Sequence, residues 1–232
     1  MDSEPTLDFA HPVAVFPLPN CVLLPRTVLP LHIFEPRYRE MVSDCLAGFP
    51  YIAMALLAPG YEEKYYTNVA AIQPTVCVGR IVRHELLKDG RYNILLQGII
   101  RAGVVSEDRS GTYRVARLKP KPATGTDDPQ VCDTIRRGLL SMLGDPSLTS
   151  FAAECNWRQL VEAADLPVSE VVDYLANAVS NSLETAQRFL NETDLGRRSE
   201  MLFEELKSFS RRIAAESDSG TCRPWPRKSV TN

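Results

Sequence analysis

The segment PLHIFEPRYREM, residues 30–41, changes its hydrophobic period at the Glu35-Pro36 step. Before this step the apolar run is interrupted by Pro25 and Pro30, and a helix cannot continue through prolines at that spacing. After the step, apolar residues recur at helical spacing, namely Tyr38, Met41, Val42, Cys45 and Leu46. The sequence therefore predicts extended chain up to Glu35 and a helix that begins at Pro36, because the first helical turn tolerates proline.

The charged residues of this junction have a structural interpretation. Glu35 lies near the positive end of the predicted helix dipole, where a carboxylate is favourable. Tyr38 is the first residue expected to face the core, whereas Arg37 and Arg39 either point to solvent or pair locally. Gly48 is expected to end the helix.

Strand signals surround the junction. Strand-like runs are predicted at residues 13–16, 51–58, 75–87, 91–107 and 112–122. Asp89-Gly90 is a strong hairpin signal between two of these runs. Gly98 and Gly103, inside the longest run, predict bulges that bend it, as a small closed or half-closed barrel requires.

Beyond residue 122 the periodicity becomes helical, with caps predicted at Ser169 and Ser182. Strands followed by helices indicate an α+β chain with an N-terminal β-rich half and a C-terminal helical bundle. The predicted organisation is a flexible arm at 1–12, a β-rich domain at 13–122, a helical bundle at 123–216 and a disordered tail at 217–232.

Composition gives no support for several classes of protein. The 232 residues carry a net charge of −3, which does not indicate a nucleic-acid partner, although residues 80–121 are locally basic and residues 123–216 acidic. The six cysteines form no C-x-x-C pair, so metal fingers and redox dithiols are not indicated. No apolar stretch approaches 18 residues, and we predict no membrane span, a cytoplasmic location and free, packed thiols.

Motifs for catalysis and cofactors are missing from the sequence. No glycine precedes a lysine and no G-x-G triplet occurs, which argues against the common nucleotide-binding loops. HELLK begins at His84, but Lys88 cannot supply the second imidazole of a zinc site. Cys21 and His32 flank the same junction, yet Cys21 is better interpreted as a packed apolar residue. We predict no catalytic, metal or cofactor-binding residues.

Three blocks of sequence resemble the N-terminal domain of Lon protease, and in particular its stand-alone bacterial form. FPLPNCVLLPRTVLPLHIFEPRYREMV, residues 16–42, is similar to the family pattern PL-P-L…LFP…LPLHIFEPRY. Residues 79–104 match the family's strand, polar hairpin and strand ending in arginine. AQRFLNETDLGRR, residues 186–198, is similar to its Q-x-x-L-E-x-x-D-x-x-x-R segment. The resemblance extends over about residues 13–213.

The sequence departs from the family pattern at three positions. Arg26 follows Pro25 where glycine is usual, Asn191 replaces a glutamate and Ser199 replaces a leucine. These departures affect the expected detail of one turn and of local packing.

The resemblance implies a PUA-like pseudo-barrel followed by a helical bundle. In the full-length protease this module contacts substrate polypeptides, while separate ATPase and Ser-Lys protease domains perform the chemistry. The resemblance therefore implies a non-catalytic module whose partner is a polypeptide substrate or another protein. The oligomeric state is left open.

Binding of polypeptide requires exposed apolar or aromatic groups. The candidates are Phe34, Tyr61, Tyr65 and Tyr66. Alternatively, these tyrosines pack on the sheet edge and leave only their hydroxyl groups in water.

A weaker alternative is RNA binding, which PUA-like folds also perform. The cations that could follow a phosphate backbone are Arg101, Arg114, Arg117, Lys119 and Lys121. The net negative charge opposes this alternative, as does the presence of only Tyr92 and Tyr113 as aromatics among these positions. A small-molecule pocket or an unrecognised hydrolase is the third alternative.

Overall fold

The computed structural model describes residues 7–218 and 230–231. The chain divides between Pro122 and Ala123 into two compact units, and Val230–Thr231 groups with the first of them. The first unit contains the strands and the second the run of helices, which confirms the predicted α+β class.

Among the described residues, the first unit holds one helix, one short 3₁₀ turn at Glu62–Lys64 and the seven strands. Its elements are β1 (Val13–Leu18), β2 (Val28–Ile33), α1 (Pro36–Ala47), β3 (Tyr51–Leu56), β4 (Thr75–Leu86), β5 (Tyr92–Asp108), β6 (Arg114–Pro120) and β7 (Val230–Thr231).

Five of these strands form a closed ring, which confirms the predicted pseudo-barrel. Around the ring the order is β4, β3, β1, β6 and β5, and β5 pairs with β4 to close it. Strands β1 and β3 are parallel, and the other neighbouring pairs in the ring are antiparallel. The core inside consists of Val13, Val15, Tyr51, Ala53, Ala55, Val76, Val78, Ala102, Ala116 and Leu118.

Strand β5 is long because it serves two sets of neighbours. Its first part pairs with β2 and with the end of β4, and its second part pairs with the start of β4 and with β6. One bulge lies next to Gly98, as predicted, but Gly103 pairs regularly with Thr75 and Lys119. The prediction of a bulge at Gly103 is wrong, because the second irregularity of β5 falls between Val104 and Ser106.

Gly98 marks the point where the segment before β2 crosses β5. Its N–H donates to the Thr27 carbonyl at 2.9 Å, and its own carbonyl accepts from the Arg26 N–H at 2.8 Å. A Cβ atom at Gly98 would lie 2.2 Å from the Leu24 carbonyl oxygen, so this crossing requires glycine.

The junction behaves as the change of period predicts. Helix α1 starts at Pro36 and is followed by Gly48, and it buries Tyr38, Met41, Val42 and Cys45. The Tyr38 ring packs 4.5 Å from the Phe16 ring of β1. The helix is thereby fixed to the ring of strands.

The second unit holds six helices among its described residues. They are α2 (Pro129–Leu143), α3 (Pro146–Glu154), α4 (Trp157–Glu162), α5 (Val168–Val179), α6 (Leu183–Asn191) and α7 (Leu195–Asp218). Ser182 caps α6 as predicted and accepts from the Thr185 N–H at 3.0 Å. The predicted cap at Ser169 is wrong, because Pro167 precedes α5 and Ser169 already lies in its first turn.

A buried ion pair lies inside the second unit. Arg198 donates to the Asp173 carboxylate, and the two side chains are 0% and 4% exposed. Arg198 is the arginine of the family-like block at 186–198. Its role here is structural, because removal of either partner would leave a buried charge without its counter-ion.

Both ends of the chain lie partly outside the described residues. The predicted flexible arm at 1–12 is described only from Leu7, where Leu7 and Phe9 pack against the core of the first unit. The predicted disordered tail at 217–232 also lies outside, except for the end of α7 and Val230–Thr231, which pairs with β2. Over the described ranges, no helix combines the length and the apolar character needed to cross a membrane.

Candidate functional site

Three of the four candidate side chains lie together on the segment between β3 and β4, residues 57–74, here called the tyrosine loop. The rings of Tyr61 and Tyr65 are 6.1 Å apart, and those of Tyr65 and Tyr66 meet edge to face at 4.9 Å. Tyr61 and Tyr65 are half-buried, whereas Tyr66 is 82% exposed. We call these three residues the tyrosine cluster.

The tyrosine loop is anchored to the Glu35-Pro36 junction. Arg37 pairs with Glu35 at 2.9 Å, and their side chains are 14% and 15% exposed. The Arg37 guanidinium also lies 4.5 Å above the Tyr38 ring, and its Nη2 donates to the Tyr65 carbonyl at 3.4 Å. Burial raises the pKa of Tyr65, and the charge of Glu35 raises it further. Of the two alternatives left open for Arg37, the structure shows local pairing, and Arg37 also holds the loop.

A second anchor comes from the ring of strands. Arg114 of β6 is buried, and its Nη1 donates to the Ala70 carbonyl of the loop at 2.7 Å. The same guanidinium contacts Glu107 of β5 at 3.4 Å and the Thr67 carbonyl at 3.5 Å. Burial lowers the pKa of Arg114, and the Glu107 carboxylate opposes that shift. Arg114 thus joins β5, β6 and the tyrosine loop.

Exposed Arg109 and half-buried Asn68 complete the support. Arg109 pairs with Glu107 at 2.7 Å and donates to the Val69 carbonyl at 3.4 Å. Asn68 donates from Nδ2 to the Gly111 carbonyl at 2.9 Å. The loop is therefore held at several points, and its exposed side chains are presented in a defined arrangement.

Phe34 is placed differently from the tyrosines. It is 43% exposed, between β2 and α1, and its ring lies 6.4 Å from the His32 ring. The structure thus brings the three tyrosines together. Phe34 directly precedes Glu35, whose ion-pair partner Arg37 holds the tyrosine loop. Val69 is 55% exposed on the same loop, and sequence reasoning missed it because a single valine in a polar loop gives no signal.

The five basic residues proposed to bind RNA do not form one exposed surface. Arg101 and Arg114 are buried, so they are not available to a phosphate backbone, and their proposed role is wrong. The alternation of β6 contains the missed signal, because Arg114 shares a face with the buried residues Ala116 and Leu118.

The remaining basic residues offer a smaller surface. Arg117 and Lys119 are exposed, and Lys121 is half-buried. Tyr113, one of the two aromatics considered for stacking, donates its hydroxyl to Asp44 at 2.9 Å. Its pKa is raised by burial first and then by this carboxylate.

Near the Glu35-Pro36 junction two thiols are buried and one imidazole is hydrogen-bonded. Burial raises the pKa of Cys45 to about 12, which keeps this thiol protonated instead of activating it. Cys21 is buried, and the His32 ring is hydrogen-bonded to Asn93 at 2.8 Å and to Arg91 at 3.2 Å. Within residues 7–218 and 230–231, no group of three or more His, Cys, Asp or Glu residues could hold a metal ion.

Two solved structures share this fold. A Lon N-terminal domain protein from Xanthomonas campestris has a TM-score of 0.59 at 23% identity, over 84% of this chain and 98% of that chain. The N-terminal domain of the Mycobacterium avium complex Lon protease has a TM-score of 0.64 at 14% identity, over 85% and 98%.

Similar curated proteins are considerably longer. Lon protease 2 of Myxococcus xanthus is 24% identical over 206 residues, which is 86% of this chain and 24% of that protein. Lon protease 2 of Syntrophobacter fumaroxidans is 26% identical over 117 residues, which is 50% of this chain and 15% of that protein. The chain thus spans about a quarter or less of the length of these relatives.

The family comparison agrees with the fold and with the sequence blocks. The model of the ATP-dependent protease La (LON) substrate-binding domain matches residues 12–208, which is most of the chain. The chain therefore belongs to the family of LON substrate-binding domains.

Proposed function

We propose that this chain is a non-catalytic module that binds segments of polypeptide through the tyrosine cluster and Val69. The observation that carries this proposal is the 82% exposure of Tyr66 on a loop fixed by buried Arg114. An exposed aromatic ring supplies a large contact area to an extended chain. Because the loop is already ordered, little conformational entropy is lost on binding.

The family and its relatives support the ligand class. The matched family is named for substrate binding, and the similar curated proteins are Lon proteases, whose substrates are polypeptides. Matches to those proteases cover only a fraction of their length. We therefore assign recognition to this chain and leave cleavage to other domains or other proteins. The burial of Arg101 and Arg114 disfavours RNA as the ligand.

The test measures capture of an unfolded polypeptide. A fluorescently labelled, reduced and alkylated polypeptide is titrated with the wild type and with a Tyr66→Ser, Val69→Ser variant. Loss of both contacts should weaken binding about tenfold or more, since each side chain contributes on the order of 1 kcal/mol. The melting temperature should change little, because both side chains are exposed.

Tyr174 provides a matched control. It is an exposed tyrosine of α5 in the second unit, 42% exposed. Tyr174→Ser should leave polypeptide binding unchanged. The proposal fails if the wild type does not bind the unfolded polypeptide, or if the Tyr66 and Val69 variant binds it as tightly as the wild type does.

A further inference from the structure

Strand β2 lies outside the closed ring, and among the described residues most of its outer side has no strand partner. Along its whole length, from Val28 opposite Gln97 to Ile33 opposite Tyr92, it pairs with β5 on one side. On its other side, among the residues that the structure describes, it pairs only with Val230–Thr231. This pairing is parallel, with Leu31 opposite Val230 and His32 opposite Thr231.

We infer that the outer edge of β2 is a polypeptide-binding site that accepts an extended segment as an added parallel strand. Val230–Thr231 occupies part of this site and competes with an external segment. The inference rests on the proposed function for its ligand class, an unfolded polypeptide. It adds the location, the binding mode and an internal competitor.

The chemistry of an open strand edge suits this ligand. An edge strand presents unpaired N–H and C=O groups, and a peptide that adds to it gains main-chain hydrogen bonds regardless of its sequence. Strand β2 is a rigid template because its other side is fully paired with β5. Recognition through the main chain therefore fits a module that must accept polypeptides of varied sequence.

The side chains of β2 favour an added strand more than those of the distal part of β4, which lies on the opposite side of β5. The distal part of β4 carries the exposed charged residues Arg83 and Glu85, and charges on an edge oppose the addition of another strand. Strand β2, VLPLHI, has neither acidic nor basic residues apart from His32. Pro30 is tolerated because its nitrogen faces the outer edge, where it offers no N–H, so an added strand must take its main-chain hydrogen bonds from the other residues of β2.

The exposed face of β2 also offers contacts at alternate positions. Val28 is 50% exposed, Pro30 is exposed and His32 is half-buried, and these three residues lie on one face of the strand. The segment that pairs with this edge contains two β-branched residues, which prefer extended structure. The expected ligand is therefore an extended segment with β-branched residues at the positions that pair with β2.

The test uses the full chain and a peptide that copies its own segment. The probe is the labelled hexapeptide RKSVTN, identical to residues 227–232, and binding is measured by fluorescence anisotropy. The variant Val230→Pro, Thr231→Pro cannot donate main-chain hydrogen bonds at these positions. Because the covalently linked segment competes at high effective concentration, the variant should bind the probe about tenfold more tightly than the wild type does.

A second peptide tests the binding mode. RKSPTN differs from the probe only by proline in place of valine, and it should not bind to the variant. Hydrogen exchange supplies a separate measurement, in which the variant should exchange faster within Leu31–His32, which pair with Val230–Thr231, while its melting temperature stays unchanged. Equal affinity of wild type and variant for RKSVTN, absence of binding to both, or equal binding of the two peptides would each overturn the inference.

The two proposals can fail separately. If the Tyr66 and Val69 variant loses polypeptide capture while the proline variant gains no peptide affinity, the edge inference is wrong and the proposed function stands. If the proline variant gains peptide affinity while the Tyr66 and Val69 variant captures polypeptide normally, binding occurs at β2 and the tyrosine cluster is not its site.

Discussion

Arg114 donates a hydrogen bond to the carbonyl oxygen of Ala70 at 2.7 Å, and both residues are almost completely buried. This bond joins β6 to the tyrosine loop, two parts of the chain that are far apart in sequence. A buried guanidinium is stable only when its donors find partners, and Glu107 supplies the nearby negative charge at 3.4 Å. The arrangement of the exposed loop therefore depends on a cation inside the protein.

Replacing Arg114 tests this dependence. Arg114→Leu removes the partner of the buried Ala70 carbonyl and leaves Glu107 without one of its cations. We expect the free energy of unfolding to fall by about 2–4 kcal/mol, measured by urea denaturation. The control is Arg117→Leu on the exposed face of β6, which should change it by about 0.5 kcal/mol or less. Equal losses in the two variants would contradict the role assigned to Arg114.

The close crossing at Gly98 predicts a large difference between two glycines of one strand. A Cβ at Gly98 would meet the Leu24 carbonyl oxygen at 2.2 Å, whereas the nearest atom to a Cβ at Gly103 is 3.7 Å away. Gly98→Ala should destabilise the first unit by about 3 kcal/mol, because main chain must move. Gly103→Ala should change the free energy of unfolding by about 1 kcal/mol or less. Thermal and urea denaturation of both variants check this, and similar values would contradict the crossing.

Arg26 occupies a backbone conformation that favours glycine. Its φ of 65° is in the left-handed region, at the position where the family pattern has glycine. Arg26→Gly should therefore raise the free energy of unfolding by about 1 kcal/mol, after allowance for the greater freedom of glycine in the unfolded chain. Arg26→Ala is the control, since it removes the side chain but keeps the unfavourable φ. A gain in Arg26→Ala equal to that in Arg26→Gly would show that the side chain, not the backbone, is responsible.

Alkaline pH should lower the free energy of unfolding through Tyr38, which packs between α1 and β1. Burial raises the pKa of Tyr38 from 10.0 to about 12 in the folded protein. Below pH 10 the Tyr38 phenol is neutral in the folded and the unfolded protein, so its own contribution to the free energy of unfolding is fully present. As the pH rises from 10 to 12, the unfolded chain ionises first, and about 2–3 kcal/mol is lost.

The comparison with Tyr38→Phe isolates this effect. The Cys45 thiol, whose pKa is also raised to about 12 by burial, contributes its own loss of stability from about pH 9 in both proteins. Urea denaturation between pH 8 and 11.5 should therefore show a shallower decline above pH 10 in Tyr38→Phe than in the wild type. Parallel curves would mean that Tyr38 ionises as easily in the folded protein as in the unfolded chain.

Local signals in the sequence predicted local structure well. The change of period at Pro36 gave the start of α1, and Ser182 gave the cap of α6. The prediction of a cap at Ser169 was wrong because the helix begins directly after Pro167, which places Ser169 inside the first turn. The prediction of a bulge at Gly103 was wrong because a bulge depends on the register between β5 and its two partner strands, and the sequence of β5 alone does not specify that register.

The candidate site was predictable only in part, because its support comes from distant residues. Three tyrosines in one polar loop were visible in the sequence, whereas the ion pair of Glu35 and Arg37 was only one of the alternatives left open there. The attachment of that loop to Arg114 depends on the closed ring, whose strand order no local pattern reveals. Even so, alternation along β6 groups Arg114 with Ala116 and Leu118, and that pattern indicates an inward-facing cation.

The closed ring also determines when this protein can finish folding during translation. Val13 of β1 pairs with Ala116 of β6, so the ring stays open until β6 has left the ribosome. The β4–β5 hairpin can form earlier from neighbouring sequence, whereas long-range pairing is slow. Strand β6 carries Arg114, so the nascent chain gains this anchor of the tyrosine loop only once β6 has been synthesised.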